Sequence, residues 1–126
     1  TIHTLSILCD PAHPALAQFP TDPFSNWQWA DLENHSKPLV LAGPTHDLKP
    51  IVQIIDDWNT ARKLAYIAEA TVGPGKLLIA SLDLTTTLEK RPPARQLRQS
   101  LLHYMTTPAF HPTTTLTPDA LQSWLK

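Results

Sequence analysis

Two adjacent carboxylates, Asp56 and Asp57, close an apolar run just ahead of Trp58, and they are the most reactive-looking pair in the chain. Hydrolysis of a glycosidic bond needs two carboxyl groups about 5–9 Å apart, one to protonate the leaving oxygen and one to attack or to activate water. Neighbours on an extended chain point to opposite faces, so Asp56 and Asp57 cannot form that pair with each other. One of them with Asp10, Glu69 or Asp83 could. The competing reading is a carboxylate at a strand end that caps loop amides or pairs with Arg62. Cys9 and His13 offer a thiol and a base. A nucleophile elbow needs small residues around the nucleophile, however, and Asp10-Pro11 follow Cys9. A buried structural cysteine is the alternative. Asp10, His13 and Asp57 together are the candidate set for an independent hydrolase.

Two further groups could bind rather than react. Arg91, Arg95 and Arg98 fall along one side of a predicted helix start, suited to an anion or to an interdomain salt-bridge patch. Trp27, Trp29 and Trp58 could stack on sugar rings, anchor a protein interface, or pack in the core. The histidines are scattered, with no His-x-x-x-His and no cysteine pair, so no zinc spacing is present. Gly73-Pro74-Gly75 lacks the Gly-Lys-Ser/Thr ending of a phosphate loop. No cofactor is expected.

The chain that must position these residues has 126 residues, enough for one core. Its net charge of -1, without a basic run, argues against a nucleic-acid partner. No apolar stretch approaches a membrane span, and no signal peptide opens the sequence. Because it starts without Met, the chain is expected to be a piece of a longer protein. The lone Cys9 excludes an internal disulfide. Thirteen prolines against three glycines imply long, stiffened connections between few regular elements.

The organising stretch is residues 51–84, where apolar runs at 51–55, 64–72 and 77–82 read as strands. The last two are joined by Val72-Gly73-Pro74-Gly75-Lys76, read as a hairpin on a type II turn with Pro74 second and Gly75 supplying positive φ. Two-residue hairpins prefer primed turns, which leaves a longer loop open. The run 77–82 reads as a strand covered on both faces. Residues 5–9 read as a buried strand, Pro14–Ala17 as one helical turn, and 26–34 as a short helix. Residues 37–42 read as a strand near a sheet edge, because Pro38 cannot donate to a ladder. The clearest helix is 94–105, with Leu97, Leu101, Tyr104 and Met105 on one stripe. A last helix at 118–125 is signalled by Thr117 as N-cap and Pro118 at the first position. Strands mixed with helices give an α/β chain, with too few helices to cover a sheet on both sides.

Leu8-Cys9-Asp10-Pro11-Ala12-His13-Pro14-Ala15-Leu16, Asn26-Trp27-Gln28-Trp29, residues 51–58 with Arg62 and Leu64, residues 73–78, Asp83-Leu84 and residues 91–98 together resemble one family. It is the C-terminal accessory region of bacterial family-2 glycoside hydrolases, the β-galactosidase-like enzymes. The resemblance runs in register over about residues 5–105. It implies a flavodoxin-like, class I glutamine-amidotransferase-like α/β domain, shortened at its N-terminal side. Such domains are non-catalytic attachments that help assembly. The amidotransferase Cys elbow and late His-x-Glu have no counterpart here, since the corresponding strand ends Ser81-Leu82-Asp83-Leu84. The resemblance therefore implies a single accessory domain, or a fragment of one, that packs, orients or oligomerises a catalytic unit in carbohydrate degradation. Its partners would be the other domains of the parent glycosidase, a second copy, or an oligosaccharide, in a periplasmic or secreted setting. A carbohydrate-binding module using Trp27, Trp29 and Trp58 is the alternative. Asp10, His13, Asp57, Arg62 and Arg95 complete the set of ligand or interface candidates.

Overall fold

The centre of the sheet is a strand screened from water along most of both faces, and the rest of the chain supplies the screens. A computed structural model of the protein describes residues 4–24, 29, 32, 38–41, 48–56 and 63–122. Among them, five strands form one mixed-length sheet: β1 (Thr4–Cys9), β2 (Leu39–Val40), β3 (Pro50–Asp56), β4 (Leu64–Val72) and β5 (Gly75–Ala80). The order is β1-β3-β4-β2, with β5 also paired to β4, and every one of these pairings is antiparallel. Two helices follow, α1 (Pro92–Met105) and α2 (Pro118–Gln122), with short 3₁₀ turns at Pro14–Leu16 and Leu88–Lys90. The chain is thus α/β in content, as expected. A flavodoxin-like sheet would be parallel, and the pairing here differs from that.

In β4, simple in-and-out alternation gives way to a bulge. Val52 pairs with Ile67 while the next residue, Gln53, pairs with Ala65, so Tyr66 is the extra residue on β4. The bulge lets Leu64, Tyr66 and Ile67 all join the larger core. Ala65, Ala68 and Ala70 join a second core on the other side. The larger core is filled by Ile7, Val52 and Ile54 from the sheet and by Leu97, Leu101 and Tyr104 from α1, with Phe19, Trp29 and Leu32 beside them. The second core is shallower because the alanines let Leu41, Leu48, Leu116 and Ala120 approach closely. The strand Thr114–Leu116 reaches is β4 itself: the Thr71 N–H donates to Thr114 O at 2.8 Å, and the Leu116 N–H to Thr71 O at 2.8 Å.

Four expectations are corrected here. The strand covered on both faces is β4, whereas β5 is half-buried at Leu77, Leu78 and Ile79 and stops at Ala80. Met105 does not belong to the inward stripe of α1. It is exposed, and the inward positions are Ala94, Leu97, Ser100, Leu101 and Tyr104. Leu8, in the run 5–9 read as buried, is exposed, and so is Ile55 at the end of the run 51–55. The hairpin turn has Gly73 at φ +56°, with Gly75 pairing to Val72 as the first residue of β5. Positive φ at the first of two loop residues is the primed arrangement whose twist matches a hairpin, and Pro74 fits the second. Near residues 26–34, Trp29 and Leu32 are helical, and the remainder of that expected helix lies outside the described residues. The start of α2 is as expected, with Thr117 Oγ1 accepting from the Ala120 N–H at 3.2 Å.

Gly73→Val should therefore lower stability by about 1 kcal/mol or more, since a β-branched side chain resists positive φ. Gly75→Ala should be much milder, because an added Cβ there meets only Val72 O, at 3.6 Å. Urea denaturation of the two variants distinguishes the turn assignments, since a larger loss at Gly75 would restore the type II turn.

Candidate functional site

The residues singled out for chemistry separate into turn-formers, core and surface. Asp10 folds back on its own turn: its Oδ1 accepts from the Ala12 N–H at 2.9 Å, and its carbonyl from the His13 N–H at 3.0 Å. His13 caps the first 3₁₀ turn, its Nδ1 accepting from the Ala15 N–H at 3.1 Å. The His13 ring meets Tyr104 edge-on at 5.6 Å between centroids. Cys9 is buried, and its Sγ donates to Asp22 O at 3.5 Å. Burial, and secondarily the neighbouring Asp10 charge, pushes the Cys9 thiol up from its ordinary value. A thiol so held is a poor nucleophile.

Trp29 is core. It is fully buried, its indole N–H donates to Thr21 Oγ1 at 2.8 Å, and its ring packs edge-on against Phe19 at 5.2 Å. This overturns its use as a sugar platform or interface anchor. The candidates Trp27, Asp57, Trp58 and Arg62 lie outside the described residues. Among the described residues, no three of His, Cys, Asp and Glu converge as a metal site would require. No helix among them is long and apolar enough to cross a membrane.

The expected row of three arginines divides. Arg91 turns inward, its Nη1 donating to Thr86 O at 3.0 Å and its Nη2 to Asp83 O at 2.9 Å, with the Asp83 carboxylate 3.6 Å away. Asp83 Oδ1 in turn accepts from the Thr85 and Thr86 N–H groups, both at 3.0 Å. These bonds wind residues 83–91 into a tight lead to α1, with Thr87 held at φ +45°. Arg95 and Arg98 stay exposed, and with Gln99 and Leu102 they form the outer stripe of α1. An open groove of about 520 Å³ lies along this stripe, lined as well by Gln18, Leu88, His103 and Thr106.

Three features escaped sequence reading. Ser100, buried in the middle of α1, donates to Ala15 O at 2.6 Å and accepts from the Gln18 N–H at 3.1 Å, fastening the helix to the Pro14–Leu16 turn. Tyr104 donates its hydroxyl to Glu69 Oε2 at 2.6 Å, joining α1 to β4. Desolvation first, then the Glu69 bond and charge, raises the Tyr104 phenol well above its ordinary value.

The third feature is an apolar patch. Leu8 is 47 % exposed, Phe24 55 % and Ile55 41 %. Phe24 is the bridge partner of Leu8, so their side chains share a face. Ser6 lies two residues from Leu8 and pairs with Ile55, which brings Ile55 to that same face. It is the face turned away from Ile7, Cys9 and Ile54, hence away from α1. The available signal was Leu8 itself, which falls on the opposite face of an extended 5–9 from Ile7 and Cys9.

The Asp83 carboxyl is held down at about 2, against an ordinary value of 3.8, chiefly by the two backbone N–H bonds, with Arg91 adding a smaller share. A folded value below the unfolded one gives stability that is complete above about pH 4 and is lost as pH falls towards 2. The urea midpoint of the wild type should drop through that window more than that of Asp83→Asn, so the gap between them narrows on acidification. A gap that stays constant from pH 5 to 2 contradicts the assignment. Separately, Tyr104→Phe should cost about 1–2 kcal/mol at neutral pH by removing the Glu69 partner from a mostly buried site.

Among curated proteins, none matches the chain. A family match, by contrast, spans residues 1–126, all of it. The chain belongs to the family described as Domain of unknown function (DUF8487).

Proposed function

We propose that the chain is a non-catalytic accessory domain of a β-galactosidase-like, family-2 glycoside hydrolase, and that it packs, orients or oligomerises the catalytic unit. The observation that carries this reading is the apolar patch of Leu8, Phe24 and Ile55 on the β1–β3 part of the sheet face, beyond the layer that the second core places over β4. Single exposed apolar residues are ordinary, whereas three gathered on one sheet face support a contact role. Burying the exposed half of each side chain contributes on the order of 1 kcal/mol apiece. The parent enzyme class comes from the sequence resemblance over residues 5–105. The finer fold implied by that resemblance, a flavodoxin-like core, would require parallel strands outside the antiparallel set described above. The contact role does not depend on it. The burial of Trp29 weakens the carbohydrate-binding alternative, since it removes one of the three rings of the platform.

The test is substitution of Leu8→Thr with Ile55→Thr in the complete gene product. These side chains lie outside both cores, so the fold should persist by circular dichroism. Domain association should weaken, or the assembly mass should change in sedimentation, with oligosaccharide affinity untouched. Unchanged assembly, together with galactoside binding that Trp27→Ala or Trp58→Ala abolishes, would establish the binding module instead.

A further inference from the structure

The outer stripe of α1 is a second and chemically different surface. Residues 92–105 contain no Asp or Glu, yet carry Arg95 and Arg98 at i and i+3 on the exposed side. No carboxylate among the described residues pairs with either guanidinium, whereas Arg91 on the inner side has Asp83. Two like charges at this spacing repel, a cost that an acidic partner removes. Leu102, one turn further along, is 50 % exposed and lies in the same groove of about 520 Å³. The position of Gln18 in the lining does not depend on a ligand. The Gln18 N–H is bound by Ser100, Gln18 O accepts from Gln96 Nε2, and Gln18 Oε1 from Gln99 Nε2 at 3.4 Å. Arginine guanidinium presents paired donors to carboxylate, so this groove offers two carboxylate seats followed, one turn on, by an apolar seat.

We propose that the Arg95–Arg98–Leu102 groove of α1 docks an acidic segment of a partner protein, with carboxylates on the two arginines and an apolar side chain on Leu102. It lies on the side of α1 away from the sheet, while the Leu8–Phe24–Ile55 patch lies on the far face of the sheet. The two surfaces therefore point in opposite directions, and the groove is independent of the parent assignment proposed above.

The experiment uses the whole 126-residue chain, isotope-labelled for amide NMR, and a short capped peptide of sequence Gly-Glu-Glu-Leu-Glu-Glu-Gly. The expected result is shifts confined to α1 and to the side-chain amides of Gln18 and Gln99, absent with the Gln-for-Glu peptide and weakened by salt. Arg95→Gln with Arg98→Gln should weaken binding roughly tenfold or more, the equivalent of losing one charge-assisted contact. Both side chains are exposed, so an unchanged amide spectrum outside α1 verifies the fold. Leu102→Asn should weaken the Glu peptide as well. Leu8→Thr with Ile55→Thr should leave the peptide affinity unchanged, so the groove and the sheet patch fail or survive separately. Equal binding of the Gln peptide, or no effect of the double arginine variant, overturns the proposal. So does inorganic phosphate producing the same shifts at the same concentration, which would make this a simple anion site. Self-association in sedimentation that the arginine variant abolishes would make the occupant a second copy, and also overturns it.

Discussion

Burial of β4 on both faces is the constraint from which the rest of the architecture follows. A strand with water on neither side must find a hydrophobic layer above and below, and this one does so with two unlike sets of side chains. Leu64, Tyr66 and Ile67 fill the deep side under α1, and Ala65, Ala68 and Ala70 leave a shallow side for the C-terminal segment. The bulge at Tyr66 makes the division possible, since strict alternation would have sent Tyr66 or Ile67 into the shallow layer. Enlarging an alanine on the shallow face would push Leu116 and Ala120 away and cost about 1–3 kcal/mol.

The same asymmetry accounts for what is left exposed. Layers are supplied where β4 needs them, and β1 and the end of β3 lie beyond the shallow layer, with Leu8 and Ile55 facing outward. On the other side, α1 spends its inner stripe on the sheet and on the Ser100 bonds to Ala15 and Gln18. Its outer stripe is consequently fixed in position, with charge that no carboxylate among the described residues pairs. The Asp83–Arg91 bonds set where that helix begins. A small domain with two cores, one apolar outer face and one basic outer face is suited to holding other surfaces in place.

Much of this was legible in the sequence, for identifiable reasons. The apolar runs at 51–55 and 64–72, the hairpin, the long helix and the Thr117 cap follow from short-range rules about proline, glycine and periodicity. The errors came where tertiary placement overrides composition. Residues 77–82 are as apolar as a doubly covered strand, but only packing decides that β4 takes the central place and β5 remains half-buried. Trp29 was available to a surface platform on spacing alone, and its burial depends on Phe19 and Thr21, distant in sequence by 10 and 8 residues. Arg91 looked like Arg95 and Arg98 until the 83–91 turn drew it inward. Serine at position 100 carries no helical-pattern signal, since its value lies in two backbone groups more than eighty residues away.

Hydrogen exchange on the complete gene product, compared with the 126-residue chain alone, tests the contact role most directly. Amides of β1 and of residues 53–56, beneath the Leu8–Phe24–Ile55 face, should exchange more slowly in the complete product, since a covering neighbour suppresses local opening. Those of β4, already screened on both faces, should change little. Equal exchange at β1 and β3 in the two samples would mean that nothing covers the apolar sheet face, and would contradict the account.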